Sequence, residues 1–222
     1  MPLPMVHLSV AKNILDAGFK TANPAGFYLG AISPDAIHMR ENADKAAKNQ
    51  THLSPDDKKR GAVDEREYLG LLKGFIAENK DRTDESFLLG YCTHIATDFI
   101  WIKEIFNPFA RKYAAETSPA QDRPAAYYND TDIIDQFLYN ESEWRAAVWE
   151  ELKHAEAFGF LNLLSAHEIS AWRERTLHWY DSGESGHKNP IRYITKADVE
   201  GFIPKCAEMI LDELFYAYVN LR

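Results

Sequence analysis

His94 and Asp98 are the two residues best suited to chemistry in the apolar stretch from Ser86 to Ile102, which the sequence predicts to be a buried helix. Their spacing of four residues places both side chains on one helix face, one turn apart. An unpaired carboxylate inside a helical bundle costs several kcal/mol, so we expect Asp98 to have a partner. Either His94 donates a hydrogen bond to this carboxylate, or a divalent metal ion binds both residues. Imidazole and carboxylate groups are both good ligands for such an ion.

Three further candidate ligands precede this helix in the sequence. His7 lies on the apolar face of the first predicted helix, Asp35 follows an almost wholly apolar segment, and His52 lies in a polar stretch that we expect to be a loop. With His94 and Asp98 they make three imidazoles and two carboxylates. That set suffices for one metal ion with an open position, or for two ions that share a carboxylate. The sequence therefore predicts that all five converge on a metal centre.

The elements that must position these residues are all predicted to be helices. Apolar residues recur at helical spacing, Asn23-Pro24 is a helix start signal, and Ser165 and Thr195 each open a capping box. We therefore expect an all-α bundle that forms a single domain over residues 1–222. The predicted helices cover residues 6–20, 25–32, 62–79, 84–105, 108–115, 132–139, 141–158, 165–180 and 195 nearly to 222, with a break at Asn107-Pro108 and irregular segments over 36–54 and 116–130.

The net charge and the composition argue against several classes of protein. The net charge is −9, which argues against binding a nucleic-acid duplex through its phosphates. Two cysteines do not make a disulfide framework, and a reducing compartment suits them. We see neither a signal peptide at the N-terminus nor an apolar run long enough to span a membrane, so we expect a cytoplasmic protein without a transmembrane segment.

Two sequence blocks carry a resemblance to a known family. One is Leu29-Gly30 followed by Pro34-Asp35, and the other is Leu89-Gly90 followed by His94 and Asp98. Together with His7 and His52, they resemble the zinc-dependent phospholipase C family, over roughly the first half of the chain. This resemblance implies an all-α fold and hydrolysis of a phosphoester, by a phosphodiesterase or a phosphatase, through a metal-activated water.

The same resemblance implies a role for each candidate ligand. His52, His94, Asp98 and Asp35 would hold one zinc ion, and His7 would hold a second with Asp98 as the bridge. Asp35 would also polarise or deprotonate the attacking water, which makes it the candidate catalytic residue. Manganese or iron are alternatives to zinc. The expected substrate is a small phosphorylated molecule or a lipid head group.

The chain also departs from the family pattern. Secreted members use the amino group of their mature N-terminus as a ligand, and their third zinc uses a further His and a His-x-x-x-Glu pair that we do not find after Asp98. We therefore expect one or two metal ions instead of three. Additional ligand or supporting candidates are His38, Asp132 and Asp135, although we interpret Asp132 first as a helix cap. Arg40 and Lys45 are placed to contact a phosphate or to serve as ordinary surface charges.

Two other all-α metal enzymes fit the sequence less well. A phosphohydrolase of the HD type needs a His-Asp dipeptide, and none occurs. A ferritin-like protein needs two Glu-x-x-His motifs on separate helices, whereas residues 151–154 supply the motif on one predicted helix only, on its charged face. The remaining alternative is a non-catalytic helical scaffold of the same fold that binds a metal, or a degenerate relative that keeps the His/Asp cluster for stability.

Overall fold

The computed structural model describes residues 2–54, 64–117, 122–183, 185–186 and 189–216, and no strand occurs among them. This confirms the all-α prediction. None of the described helices is long and apolar enough to cross a membrane. The helices are α1 (Pro4–Asp16), α2 (Pro24–Ile32), α3 (Lys45–Thr51), α4 (Glu65–Asn79), α5 (Glu85–Trp101), α6 (Asn107–Glu116), α7 (Arg123–Glu141), α8 (Arg145–His154), α9 (Ala166–Leu177) and α10 (Lys196–Ile210), with a 3₁₀ segment at Ser33–Met39 and π segments at Ile102–Phe106 and Leu211–Phe215.

Helix α5 lies at the centre of the fold, and every residue from Ser86 to Trp101 is buried. It packs against α1, α2, α4 and α10, while α1 also contacts α7 and α10. A helix surrounded on all sides needs no polar face, which is why its sequence is apolar almost throughout. The few polar side chains that it does carry must therefore find partners inside the protein.

Helices α2 and α5 make close backbone contact through a pair of glycines. A Cβ atom added to Gly30 would collide with the carbonyl oxygen of Phe87, and one added to Gly90 would collide with that of Phe27. The two backbones thus touch where the Leu-Gly blocks of the sequence face each other. This contact sets the position of α5 relative to the 3₁₀ segment that follows α2.

The structure corrects two predicted interruptions. Residues 116–130 are not wholly a loop, because α7 begins at Arg123 with Asp122 as its cap and a proline in its first turn. Asn107-Pro108 does not end the central helix, since the chain continues through the π segment directly into α6. The wider π turn accommodates a proline, which has no N–H to donate and whose ring would collide with a carbonyl of the preceding α-helical turn.

The polar stretch before α4 is also more regular than predicted. It contains the 3₁₀ segment and α3, and Asp44 caps α3 by accepting a hydrogen bond from the Ala47 N–H. The capping boxes of α9 and α10 are confirmed. The predicted extension of the last helix over residues 217–222 lies outside the described residues.

Candidate metal centre

Five side chains from four segments meet on one side of α5. His94 and Asp98 come from α5 and His7 comes from α1, while Asp35 lies in the 3₁₀ segment and His52 terminates α3 instead of lying in a loop. Two groups of ligand atoms each lie within 4.8 Å of one another: His7 with His94 and Asp98, and Asp35 with His52 and His94. The structure therefore brings together all five residues that the sequence singles out.

The separations between these atoms are nearer to those around a metal ion than to those of direct hydrogen bonds. His52 Nε2 lies 3.3 Å from Asp35 Oδ1 and 3.7 Å from Asp98 Oδ2, and His94 Nε2 lies 3.6 Å from Asp98 Oδ2 and 3.9 Å from Asp35 Oδ2. Two ligands held tetrahedrally at ~2.0–2.2 Å from one zinc ion lie roughly 3.3–3.6 Å apart. Direct hydrogen bonds would instead bring these atoms closer, to about 2.7–3.0 Å.

Hydrogen bonding fixes two of the imidazoles in the state that binds a metal. His94 Nδ1 lies 2.9 Å from the carbonyl oxygen of Ala31, and His52 Nδ1 lies 3.0 Å from that of Lys48. Because a carbonyl only accepts, Nδ1 carries a proton in both rings, which leaves Nε2 as the nitrogen able to bind a metal. Both Nε2 atoms and both Asp98 oxygens are buried without any hydrogen-bond partner. These unpartnered atoms point towards one another, which is the arrangement expected around a bound cation.

The electrostatics of the centre favour a divalent ion. Although burial opposes its ionisation, the histidines around Asp35 hold the pKa of that carboxyl well below its usual range, and His94 lowers the pKa of Asp98 in the same way. Burial, together with the nearby His94, lowers the pKa of His7 to about 3, so that this ring is neutral. Two buried carboxylates so close together need compensating positive charge, and a divalent cation supplies it.

Asp98 presents its two oxygens to different neighbours. Oδ2 faces His52 and His94, whereas Oδ1 lies 3.6 Å from His7 Nε2. The His7 and His94 rings stack, with their centroids 3.7 Å apart. This arrangement suits a main site formed by Asp35, His52, His94 and Asp98, and a second position between His7 and Asp98 that has fewer protein ligands.

The polar residues beside the centre line a cleft that reaches Asp35. His38 Nε2 lies 3.5 Å from Asp35 Oδ1 and 3.1 Å from Lys48 Nζ, which is itself 3.8 Å from Asp35 Oδ1. Asp132 lines the same cleft from inside α7, so its interpretation as a helix cap was wrong. Lys48 was missed from the sequence, although its position four residues before His52 on one helix was a usable signal.

Two other residues singled out from the sequence lie outside the centre. Arg40 makes a two-nitrogen contact with the Glu168 carboxylate, at 2.6 and 3.2 Å, and thereby ties the 3₁₀ segment to α9. Asp135 belongs to neither group of ligand atoms. Its carboxylate accepts a hydrogen bond from the Met5 N–H, at 3.1 Å, and another from the Tyr180 hydroxyl. Asp135 therefore fixes the start of α1, just before His7.

Replacement of Asp135 by asparagine should change how stability depends on pH. Burial raises the pKa of Asp135 to about 7, so folding favours the protonated form. Wild-type stability from this group is full below the unfolded pKa of 3.8 and is lost as the pH rises from there through 7, because the unfolded chain loses this proton first. Asp135→Asn should therefore gain stability relative to wild type across that range in urea titrations, while Tyr180→Phe keeps the decrease. A deficit for Asp135→Asn that is equal at all pH values would contradict this assignment.

The fold and the site together define a class of protein: an all-helical chain with a buried His/Asp cluster whose geometry and charge suit a divalent metal ion. The family model described as zinc dependent phospholipase C matches residues 6–127, more than half of the chain, so the protein belongs to this family. The matched segment contains all five residues of the centre. No match was found among curated proteins or among solved structures.

Proposed function

We propose that the protein is a metal-dependent hydrolase that cleaves a phosphoester with a metal-activated water. The observation that carries this proposal is the convergence of buried, unpartnered nitrogen and oxygen atoms of His52, His94 and Asp98 beside Asp35, at metal-like separations. Membership of a zinc-dependent family supports zinc as the ion. A bound zinc ion would supply a hydroxide at neutral pH by lowering the pKa of its water towards about 7.

The chain's own residues then divide the remaining work. His52, His94 and Asp98 would hold the ion, with Asp35 as the fourth ligand of the main site. Asp35 is the ligand that borders the cleft, with 15% of its side chain exposed, so it accepts a hydrogen bond from the attacking water and orients it. Lys48 lies at the same rim and offers its ammonium group to a phosphoryl oxygen.

Access to the centre is available from two sides. A cleft of about 420 Å³ is lined by Asp35, His38 and Lys48, and another of about 210 Å³ is lined by His52, Asp98 and Lys48. Lys48 borders both. A small phosphorylated molecule or a lipid head group can therefore approach the metal ligands without rearrangement of the helices, and the first cleft has a volume typical of small-molecule sites, ~300–1,000 Å³.

A second candidate function is metal binding without turnover. The main site has four protein ligands, which is typical of structural zinc, whereas catalytic zinc usually has three and keeps one position for water. The clefts and the partial exposure of Asp35 favour catalysis. The two candidates give different results in one experiment, which is described next.

The experiment combines metal analysis with a substrate panel. Protein purified without chelator should contain about one equivalent of zinc, manganese or iron, and should hydrolyse at least one phosphomonoester or phosphodiester from a panel assayed with zinc and with manganese. His94→Ala should lose both the metal and the activity while it keeps its helical circular dichroism. Metal without turnover on any ester would favour the scaffold, and a chain that binds no metal on reconstitution would refute both candidates. His154→Ala is the matched control, because that imidazole is exposed on α8.

A further inference from the structure

The cleft that reaches Asp35 has a second wall built from α9 and the turn after it. Trp172, Arg175 and Trp179 line this wall, and Tyr128 and Asp132 of α7 line the cleft beside them. All five residues lie outside the segment that matches the family, residues 6–127. What this wall binds is therefore a property of this chain's C-terminal half.

The Arg175 guanidinium is held in place by two indole rings. Its Cζ atom lies 5.3 Å from the centre of the Trp172 ring and 5.2 Å from that of Trp179, and the two rings are 6.0 Å apart in an edge-to-face arrangement. Within the part of the chain that the structure describes, Arg175 forms no ion pair with a carboxylate. Stacking leaves its N–H groups able to donate to a ligand and reduces the entropy lost when they do.

The wall is continuous with the metal centre. The Trp172 ring lies 5.8 Å from the His38 ring, and His38 Nε2 lies 3.5 Å from Asp35 Oδ1. A molecule whose phosphate reaches Asp35 through this cleft can place its remaining atoms along this wall, towards Arg175. That part of the molecule is the leaving group of the hydrolysis.

The charges of the cleft select among leaving groups. Its cations are Arg175 and Lys48, and its carboxylates are Asp35 and Asp132. When Asp35 binds a divalent ion its charge is compensated, so two cations face the single remaining carboxylate. A leaving group with a negative charge is favoured in such a cleft, and a cationic one such as choline is repelled.

We infer that the substrate is a phosphate ester whose leaving group carries a second oxyanion, either a phosphate or a carboxylate, and that Arg175 binds this oxyanion. The inference rests on the proposed function, since it describes the substrate of the same centre. Arg175 acts as a specificity residue that contacts the leaving group at a distance from the bond that breaks. Its loss should therefore raise KM far more than it lowers kcat.

The kinetic test compares esters that differ in the charge of the leaving group. Wild type should prefer 1,3-propanediol bisphosphate or 3-phosphoglycerate over glycerol 1-phosphate and phosphocholine. Comparison of the first two compounds shows whether the preferred second oxyanion is a phosphate or a carboxylate. Arg175→Gln should lose roughly 10- to 100-fold in kcat/KM on the preferred anionic ester, the range for one lost charged hydrogen bond, and little on glycerol 1-phosphate. Arg175→Lys should recover part of this loss. Arg111→Gln is the matched control, because Arg111 is exposed on α6 and does not line the cleft.

A binding measurement separates this inference from the proposed function. Inorganic phosphate titrated into the metal-loaded protein should give a saturable change in tryptophan fluorescence, because Trp172 and Trp179 flank Arg175, and Arg175→Gln should weaken the binding that produces this change at least tenfold. Hydrolysis without any preference for anionic leaving groups, or an equal phosphate response in wild type and Arg175→Gln, would overturn the inference alone. Absence of turnover on every ester would instead refute the proposed function, and the titration would still decide whether Arg175 binds an oxyanion.

Discussion

Asp98→Asn should lose metal affinity by at least roughly 100-fold, more than the ~10–100-fold typical of removing a group that only supports a ligand. The reason is that both Asp98 oxygens face imidazole nitrogens of the centre, and a neutral amide offers a cation only one oxygen and no negative charge. The hydrolytic activity should fall below detection together with the metal affinity. Zinc at a hundredfold excess over its wild-type Kd should stabilise wild type by about 2.7 kcal/mol, and should stabilise the variant by no more than about 0.4 kcal/mol.

The metal-free form of the same variant distinguishes a ligand from a structural hydrogen bond. Neither Asp98 oxygen has a hydrogen-bond partner in the structure, so the metal-free variant should unfold at the same temperature as the metal-free wild type, or higher. Asp130→Asn is the matched control, because Asp130 is also buried but accepts hydrogen bonds from three backbone N–H groups, those of Arg192, Tyr193 and Ile194. That control should be destabilised by about 1–3 kcal/mol with or without zinc. Strong destabilisation of metal-free Asp98→Asn would show that its carboxylate serves the fold alone.

Gly90→Ala should strongly destabilise the protein. An added methyl group would collide with the Phe27 carbonyl oxygen and would lie 2.9 Å from the Phe27 carbonyl carbon and 3.0 Å from the Ala31 nitrogen. These are backbone atoms of a packed helix, so they cannot rotate away as a side chain can. We expect a loss of more than about 3 kcal/mol, at the upper end for overpacked cores, and a melting temperature lower by roughly 10 °C.

The same substitution should also weaken metal binding, because α5 carries His94 and Asp98 while α2 leads directly to Asp35. Forcing these helices apart moves the two halves of the centre relative to each other. Gly70→Ala is the matched control: it lies in a helix with nothing within 4 Å of the added atom, and it should stabilise the protein by about 0.5–1 kcal/mol. Thermal denaturation and zinc titration of both variants make the comparison. Equal effects of the two substitutions would show that α2 and α5 do not pack as closely as described.

The sequence was most informative where a residue type and its local spacing decide the outcome. The helical period of the apolar residues predicted an all-α fold, and the start signals at Asn23, Ser165 and Thr195 lie where the structure has helix caps. The four-residue spacing of His94 and Asp98 was enough to place them on one face of a buried helix. These features depend on neighbouring residues alone, so they can be read before anything is known about the packing.

Predictions were wrong where a composition rule competed with a local signal. The Pro- and Asp-rich segment before α7 was interpreted as a loop, although Asp122 and Pro124 are in fact the cap and first turn of a helix. His52 was assigned to a loop because the residues around it are polar, yet it terminates a short helix that is half-exposed. Polar residues indicate that a segment is exposed to solvent, and an exposed segment can still be helical.

The sequence by itself determined the helical fold class, the two Leu-Gly blocks that contain Gly30 and Gly90, and the identity of the five side chains able to bind a metal. The tertiary structure alone decided that these side chains meet, and that Asp98 offers one oxygen to His7 and the other to His52 and His94. It also decided that Trp172 and Arg175 form one wall of the cleft that reaches Asp35. The physical reason is that periodicity specifies which face of a helix is buried but not which helix covers it. That choice depends on close packing between segments far apart in the chain, such as the backbone contact that Gly30 and Gly90 permit.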